Sequence, residues 1–163
     1  METSTGYSLW LVPDENTANI IAKLKTRIGV TGPAFPVHMT LLGDLQDADS
    51  QKKAEALAKQ LILENVHLTS IGFGVTYYRC AYLLAEKSPW LAACNQLARK
   101  AFKREADPEF MPHISLAYGH LSILEKERMT KSIGKIDLTF APHLEFWKCD
   151  GLPEKWVLIN RFG

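Results

Sequence analysis

The chain has 163 residues, of which 47% are hydrophobic and 23% charged, and its formal net charge at pH 7 is +1. These values are ordinary for one globular domain, and they lack the basic excess that binding to long duplex nucleic acid requires. No apolar run reaches the roughly 18 residues of a membrane span and no secretion signal is recognisable at the first residues, so we expect a cytoplasmic protein without membrane contact.

The first part of the chain alternates strand and helix patterns. Tyr7–Val12 is short, aromatic and apolar and stops at Pro13, which predicts a strand. Asp14 can cap a following helix, and Gly29 suits its C′ position. A loop rich in Gly and Pro leads to a second strand, predicted from about Val37 to Leu42. A helix is then predicted from an apolar stripe with i, i+3, i+4, i+7, i+8 spacing, formed by Ala54, Leu57, Ala58, Leu61 and Ile62.

The middle of the chain changes to β-branched and aromatic residues. The run from Val66 to Leu84 has the composition of a β-hairpin. Ser88 is a suitable N-cap with Pro89 in the first helical position, which predicts the start of a helix. The apolar face predicted for this helix consists of Trp90, Cys94, Leu97, Ala98 and Ala101.

A strand, a helix and two closing strands complete the prediction. Pro112–Tyr118 has strand composition, and Ser122 with Glu125 forms a capping box for the next helix. The closing strands are predicted at Ile136–Lys148 and Trp156–Phe162. Strong hairpin segments among the helices favour an α+β fold with mainly antiparallel sheets over a doubly wound parallel sheet. We expect residues 1–163 to form a single domain.

Two segments of the chain nearly repeat each other. Residues 35–41 and 110–116 both read F-x-x-H-x-[S/T]-L, with a proline shortly before the histidine. Because residues i and i+2 of a strand share a face, each histidine and the following hydroxyl residue should point the same way. The two pairs are His38 with Thr40, and His113 with Ser115.

The shorter pattern H-x-[S/T] has little weight here. Four of the five histidines have Ser or Thr two positions later. His67 lacks the leading Phe and Pro, and the serine after His120 is better explained as a helix cap. His143 has no such hydroxyl and is interpreted as structural. The seven-residue context therefore singles out His38 and His113.

Paired histidines and hydroxyls suit phosphoester chemistry. Hydroxyl and imidazolium donors can bind the nonbridging oxygens of a phosphodiester and gain strength as charge builds on them. Imidazole titrates near neutral pH, so one ring can act as base and the other as acid. Such a pair needs neither a metal nor a cofactor. A metalloenzyme is disfavoured because neither motif contains an acidic residue.

These residues resemble the two-histidine (2H) phosphoesterase superfamily, and within it the plant and fungal cyclic phosphodiesterases. The similarity covers the strand Tyr7–Pro13, the motif His38–Leu41, the segment Tyr77–Leu84 and, most specifically, Met111–Gly119. It implies a bilobal fold in which two mainly antiparallel sheets with flanking helices face a central cleft.

The resemblance also implies an activity. Such enzymes open ADP-ribose 1″,2″-cyclic phosphate, a by-product of tRNA splicing, and nucleoside 2′,3′-cyclic phosphates, giving ADP-ribose 1″-phosphate and nucleoside 2′-phosphates. Carried over, His113 would activate water, His38 would protonate the leaving group, and Thr40 and Ser115 would bind the phosphate. The sequence itself does not distinguish which histidine is the base and which is the acid. The expected partner is a small cyclic phosphate, and the chain is expected to be a monomer.

Two aromatic residues are further candidates for substrate binding. Tyr118 matches a phosphate-contacting tyrosine of the family, although it breaks the strand parity of His113 and Ser115 and so needs a bulge or a strand end. Trp10 could stack on a base or ribose at the rim of the cleft.

The three cysteines show no pairing pattern. Cys80, Cys94 and Cys149 are widely spaced, which favours buried, reduced thiols, and the extra disulfide cysteines of some plant members are not recognisable here.

Two other functions are alternatives to hydrolysis of small cyclic phosphates. One alternative is RNA end processing by a 2′–5′ ligase-like or 3′ exonuclease activity. The other is a non-catalytic module that binds a phosphorylated ligand.

Overall fold

Residues 1–29 and 32–163 are described in the computed structural model. Within them lie four α-helices, which are α1 Glu15–Ile28, α2 Ser50–Ala58, α3 Pro89–Ala101 and α4 Ile123–Ile133. The same residues form eight strands, which are β1 Tyr7–Val12, β2 Met39–Leu45, β3 Val66–Phe73, β4 Ala81–Ala85, β5 His113–Ala117, β6 Leu138–Phe140, β7 His143–Lys148 and β8 Val157–Phe162. No helix in these two ranges is long and apolar enough to cross a bilayer.

The strands form one sheet in the order β6-β3-β4-β5-β2-β1-β7-β8, and every neighbouring pair is antiparallel. The sheet consists of two four-stranded halves that join where β5 meets β2. At this junction a single residue pair is in register, Met39 opposite Ile114. The predicted α+β fold with antiparallel strands is confirmed, and the two expected sheets are the halves of one continuous sheet.

The helices cover one face of this sheet in two pairs. α1 and α4 contact each other and the half that contains β3 and β5, whereas α2 and α3 contact each other and the half that contains β2 and β7. The strand residues beneath the helices are apolar and almost fully buried, among them Leu9, Leu11, Met39, Leu41, Ile114 and Leu116. Each half therefore has its own helical cover and contributes one motif strand to the junction.

Most predicted helix ends agree with the structure. The Asp14 side chain accepts a hydrogen bond from the Thr17 N–H, and Gly29 ends α1 in the left-handed conformation at φ 62°. The capping box of Ser122 and Glu125 opens α4 with both reciprocal hydrogen bonds formed. Ser88 occupies the cap position of α3, although its hydroxyl bonds no N–H of that helix in the described residues. These ends could be predicted because each depends on local sequence.

Two predicted apolar faces differ from the structure. α2 ends at Ala58, and Ile62, the last residue of the predicted stripe, is 78% exposed. The buried face of α3 consists of Leu91, Cys94, Asn95 and Ala98, and the predicted Leu97 is 38% exposed. The prediction for α3 is confirmed at Cys94 and Ala98 and wrong at Leu97, and it missed Leu91 and Asn95, which complete the buried face.

The predicted strand Ile136–Lys148 is two separate strands. β6 pairs with β3 at one edge of the sheet, whereas β7 pairs with β1 and β8 near the other edge. Ala141 and Pro142 connect them, and proline cannot donate a backbone hydrogen bond, so a continuous strand is disfavoured there. The chain crosses from one half of the sheet to the other at this point.

Asn95 connects α3 to the first motif strand. Its buried side-chain Nδ2 donates to the carbonyl of Leu41 at 2.9 Å. We expect Asn95→Ala to lower the free energy of unfolding by about 1–3 kcal/mol, since a buried carbonyl loses its partner. Gln96→Ala, at the exposed neighbouring position, is the matched control and should change it by less than about 0.5 kcal/mol. Equal urea midpoints for the two variants would contradict this role of Asn95.

Candidate active site

The register of β2 against β5 gathers the motif side chains on one face. Met39 and Ile114 are opposite each other and fully buried beneath the helices. Strand alternation therefore directs their neighbours to the other face of the sheet. Those neighbours are His38, Thr40, His113 and Ser115.

All six residues singled out by the sequence line a single cavity of 590 Å³. They are His38, Thr40, His113, Ser115, Tyr118 and Trp10. The lining also includes residues outside this predicted set, such as Tyr78, Arg79 and Trp156. Tyr78 and Arg79 lie between β3 and β4 in the segment Tyr77–Leu84, whose similarity to the cyclic phosphodiesterases was the available indication of them.

The two histidines have the same hydrogen bond at the same ring atom. Nδ1 of His38 donates to the Pro36 carbonyl at 2.8 Å, and Nδ1 of His113 donates to the Met111 carbonyl at 2.7 Å. A carbonyl oxygen can only accept, so Nδ1 carries the hydrogen in both rings. In the neutral ring Nε2 then holds the lone pair, which makes it the basic atom. The two motifs therefore hold their histidines in the same tautomer.

Trp10 supports His38 and cannot stack on a ligand. Its indole stacks on the His38 ring with centroids 3.6 Å apart and on the Trp147 ring at 4.4 Å. Because β2 and β7 flank β1 on opposite sides, these two partners cover opposite faces of the indole. The prediction that Trp10 stacks on a base or ribose was therefore wrong. Only the edge of this ring is left to border the cavity.

A buried carboxylate holds the outer member of this stack. Glu145 accepts hydrogen bonds from the Trp147 indole at 2.9 Å, from His143 at 2.7 Å and from the Arg161 guanidinium. Its side chain is 3% exposed, so several donors are needed to compensate for the lost hydration. Trp10 itself donates to the Ser8 hydroxyl at 2.9 Å. The aromatic support of His38 is thus fixed at both ends.

The two motif hydroxyls are in different hydrogen-bonding states. Ser115 donates to the carbonyl of Tyr78 at 3.0 Å, so its proton points at the protein and its oxygen can accept from a ligand. Thr40 has no protein hydrogen-bond partner for its hydroxyl in residues 1–29 and 32–163 and remains able to donate. For Ser115 to donate to a phosphate, its hydroxyl must rotate away from Tyr78.

Tyr118 follows the last residue of β5, so the end of the strand resolves the parity conflict. Its ring stacks on Phe35 at 3.8 Å, and the Lys25 ammonium lies 3.8 Å from the centroid of the same Phe35 ring. Burial raises the pKa of Tyr118, which keeps its hydroxyl protonated and able to donate. Burial also lowers the pKa of Lys25 to about 8.

Burial keeps both histidines uncharged in the free protein. It lowers the pKa of His38 to about 3, and it lowers the pKa of His113, to which the positive charge of Arg79 contributes further. Removing an imidazolium from water costs more than removing a neutral imidazole, which explains the direction of both shifts. At pH 7 neither ring therefore carries a second proton before a ligand binds.

The segment Glu2–Gly6, termed the strap below, closes one side of the cavity. Ser4 forms a two-way backbone pair with Gly151, and the Gly6 N–H donates to the Asp150 carboxylate at 2.8 Å. At its other end, the Tyr78 hydroxyl donates to the Glu2 carbonyl at 2.9 Å. Because Tyr78 precedes β4 and Gly151 follows β7, the strap joins the two halves of the sheet. Its residues 3–5 line the cavity.

The three cysteines are all buried free thiols. Cys149 borders the cavity, and burial raises its pKa to about 12, so it stays protonated. No group of three or more histidine, cysteine or carboxylate side chains that could hold a metal ion occurs in the described part of the chain.

Comparisons with known proteins agree with this architecture. The profile of the family described as cyclic phosphodiesterase-like protein matches residues 5–163. The cyclic phosphodiesterase of Arabidopsis thaliana is 27% identical over 135 residues, which cover 80% of this chain and 75% of that protein.

Solved structures share the fold at low sequence identity. LigT of E. coli in its apo form superposes with a TM-score of 0.67 at 13% identity over 97% of this chain and 96% of that one. TT0787 of Thermus thermophilus gives 0.66 at 14% identity over 96% of both chains. LigT has also been solved with 3′-AMP and with phosphate.

The buried His38 should make stability depend on pH. Its pKa is about 3 in the folded protein against 6.5 when unperturbed, so between these values the unfolded chain binds more protons. Stability is therefore present above pH 6.5 and lost as the pH falls, by about 1.4 kcal/mol per pH unit for this group. We expect His38→Gln to flatten the pH dependence of urea unfolding between pH 6 and 4. The control is His120→Gln at an exposed site, and a slope that is the same for all three proteins would contradict the prediction.

Proposed function

The chain belongs to the cyclic phosphodiesterase-like family of 2H phosphoesterases, and we propose that it hydrolyses small cyclic phosphodiesters with His38 and His113 as the acid–base pair. As a member of this family it is a phosphoric diester hydrolase. The substrates we propose are ADP-ribose 1″,2″-cyclic phosphate and nucleoside 2′,3′-cyclic phosphates, with ADP-ribose 1″-phosphate and nucleoside 2′-phosphates as products. The main support is the pair of identically tethered histidines that line one cavity.

In the proposed reaction, water attacks phosphorus in line with one ester oxygen of the ring. One Nε2 takes a proton from the water as the new P–O bond forms, and the other Nε2 protonates the ester oxygen as its bond to phosphorus breaks. The product keeps the phosphate on a single oxygen of the sugar. Two imidazoles supply both proton transfers, so no step of this scheme requires a metal.

The acid must acquire its proton when the substrate binds. Both rings are neutral at pH 7 in the free protein, because burial lowers the pKa of each. A cyclic phosphodiester is an anion, and a negative charge close to an imidazole raises its pKa. Binding therefore promotes uptake of the proton that the leaving oxygen later receives. The family resemblance assigns this acid role to His38 and the base role to His113, and that division is part of the proposal.

In this scheme the hydroxyl groups of Thr40, Ser115 and Tyr118 bind the phosphate oxygens. Thr40 is able to donate, and Tyr118 stays protonated because burial raises its pKa. Ser115 would exchange its bond to the Tyr78 carbonyl for one to a phosphate oxygen. Donors directed at oxygens that gain negative charge stabilise the transition state more than the bound substrate. Together they hold the phosphorus between the two Nε2 atoms.

The strap favours a small substrate over the end of an RNA chain. It closes one side of the cavity through backbone pairing with Gly151 and a hydrogen bond from Tyr78. A polynucleotide needs an open groove with positive charge along its phosphates, whereas the net charge here is +1. RNA end processing is therefore the second candidate.

A substrate panel tests the proposal directly. The protein is incubated with ADP-ribose 1″,2″-cyclic phosphate, each nucleoside 2′,3′-cyclic phosphate and a short oligoribonucleotide, with and without EDTA, and products are identified by phosphorus NMR. We expect turnover of the small cyclic phosphates and no effect of EDTA. Loss of activity that zinc restores would contradict the metal-free scheme. Processing of the oligoribonucleotide alone would favour RNA end processing, and binding without turnover would favour a non-catalytic module.

Substitution of the histidines tests their roles. His38→Ala and His113→Ala should each lower kcat by roughly 10²–10⁴-fold, the usual contribution of general acid–base catalysis. His67→Ala and His120→Ala are matched controls, because His67 is held by Asp137 at 2.7 Å on the surface and His120 is exposed. Near-normal kcat in either motif variant would remove that residue from the scheme.

A further inference from the structure

A second cavity adjoins the first, and Arg79 lines both of them. It has a volume of 580 Å³ and lies beside Phe110, Met111 and Pro112, the residues that lead into β5. The carbonyl of Met111 tethers the His113 ring at 2.7 Å. The wall of the second cavity is thus continuous in sequence with one histidine of the proposed acid–base pair.

Arg79 is an exposed cation at the boundary between the cavities. It forms no salt bridge with a carboxylate in residues 1–29 and 32–163. Its neighbour Tyr78 is held at the first cavity by the hydrogen bond from Ser115 to the Tyr78 carbonyl. A guanidinium without an acidic partner is suited to bind phosphate oxygens, which it can contact with two parallel hydrogen bonds.

The two carboxylates that line the second cavity, Glu86 and Glu109, each lie near a basic side chain. Lys87 pairs with Glu109 at 3.2 Å, and Glu86 lies 3.5 Å from a ring nitrogen of His67. Arg79 is thus the cation of this wall that has no acidic partner in the described residues. Because Arg79 lines both cavities, an anionic group that extends from the first cavity would lie close to it.

Phe110 gives the second cavity an aromatic side. It occupies the same place in its motif as Phe35, but the two rings have different surroundings. Phe35 stacks on Tyr118 at 3.8 Å, whereas Phe110 has no aromatic partner in the described part of the chain. Phe110 packs against the hydrophobic core and borders the cavity half-buried. A half-buried aromatic ring beside an open volume can contact a planar base.

We propose that the second cavity is a subsite for the nucleoside diphosphate portion of a substrate whose cyclic phosphate occupies the first cavity. Arg79 would bind the diphosphate and Phe110 would contact the base. This inference rests on the proposed function and adds a preference for ADP-ribose 1″,2″-cyclic phosphate over nucleoside 2′,3′-cyclic phosphates. ADP-ribose 1″,2″-cyclic phosphate has a diphosphate between its cyclic phosphate and its base, whereas a nucleoside 2′,3′-cyclic phosphate has none and would not reach the subsite.

Two variants test the subsite through a selectivity ratio. This ratio is kcat/KM for ADP-ribose 1″,2″-cyclic phosphate divided by kcat/KM for adenosine 2′,3′-cyclic phosphate. Arg79→Gln should lower it by about tenfold, since the lost contact is charge-assisted. Phe110→Leu should lower it less. Arg27→Gln, at an exposed position of α1, is the matched control and should leave it unchanged. An equal loss on both substrates would overturn the proposal, because Arg79 would then act on the cyclic phosphate itself.

A binding measurement separates failure of the subsite from failure of the proposed function. ADP contains the diphosphate and the base but no cyclic phosphate. Its Kd, measured by calorimetry, should rise about tenfold in Arg79→Gln and stay constant in Arg27→Gln. If the unaltered protein hydrolyses neither substrate but ADP binding responds in this way, the proposed reaction fails and the subsite stands. ADP binding that is absent, or is the same in both variants, overturns the subsite.

Discussion

The arrangement of the site depends on one antiparallel contact, Met39 of β2 opposite Ile114 of β5. Both side chains are fully buried beneath the helices, which fixes the register because a shift of one residue would expose them. The same register directs two histidines and two hydroxyls to the opposite face. The hydrophobic core of the junction therefore specifies the geometry of the polar side. Folding and the placement of the proposed acid–base pair have a common cause in this contact.

Next to this contact the structure buries the ring of His38, which disfavours its protonated form. The ring of His38 is covered by Trp10, which is backed by Trp147, and the latter is held by the buried Glu145. Such a stack excludes water from one side of the ring and leaves the cavity side open. The neutral state results from this packing, and under the proposed function the anionic phosphate of the substrate would offset the cost of charging the ring.

The sequence was informative wherever a feature depends on neighbours along the chain. Helix caps at Asp14 and Ser122 and the strand parity of the two motifs could be predicted from local rules. The stacking of Trp10 could not, because its partners come from two other strands. The bond from Ser115 to Tyr78 and the separation of β6 from β7 also depend on pairings between distant segments. Alternation identifies which side chains share a face, but it does not identify what lies across from them.

The strap makes part of the cavity wall separable from the two motif strands. It forms part of the cavity wall and is attached by backbone pairing of Ser4 with Gly151, by two hydrogen bonds at Gly6 and by the bond from Tyr78 at Glu2. The Ser4 hydroxyl donates to the Cys149 carbonyl and the Thr5 hydroxyl accepts from Gln46, whereas the Thr3 side chain has no hydrogen bond in the described residues. Backbone pairing tolerates many side chains, so position 3 can vary in size without disturbing the strands that hold the histidines. Substitution of Thr3 can therefore change this wall of the cavity independently of the histidines.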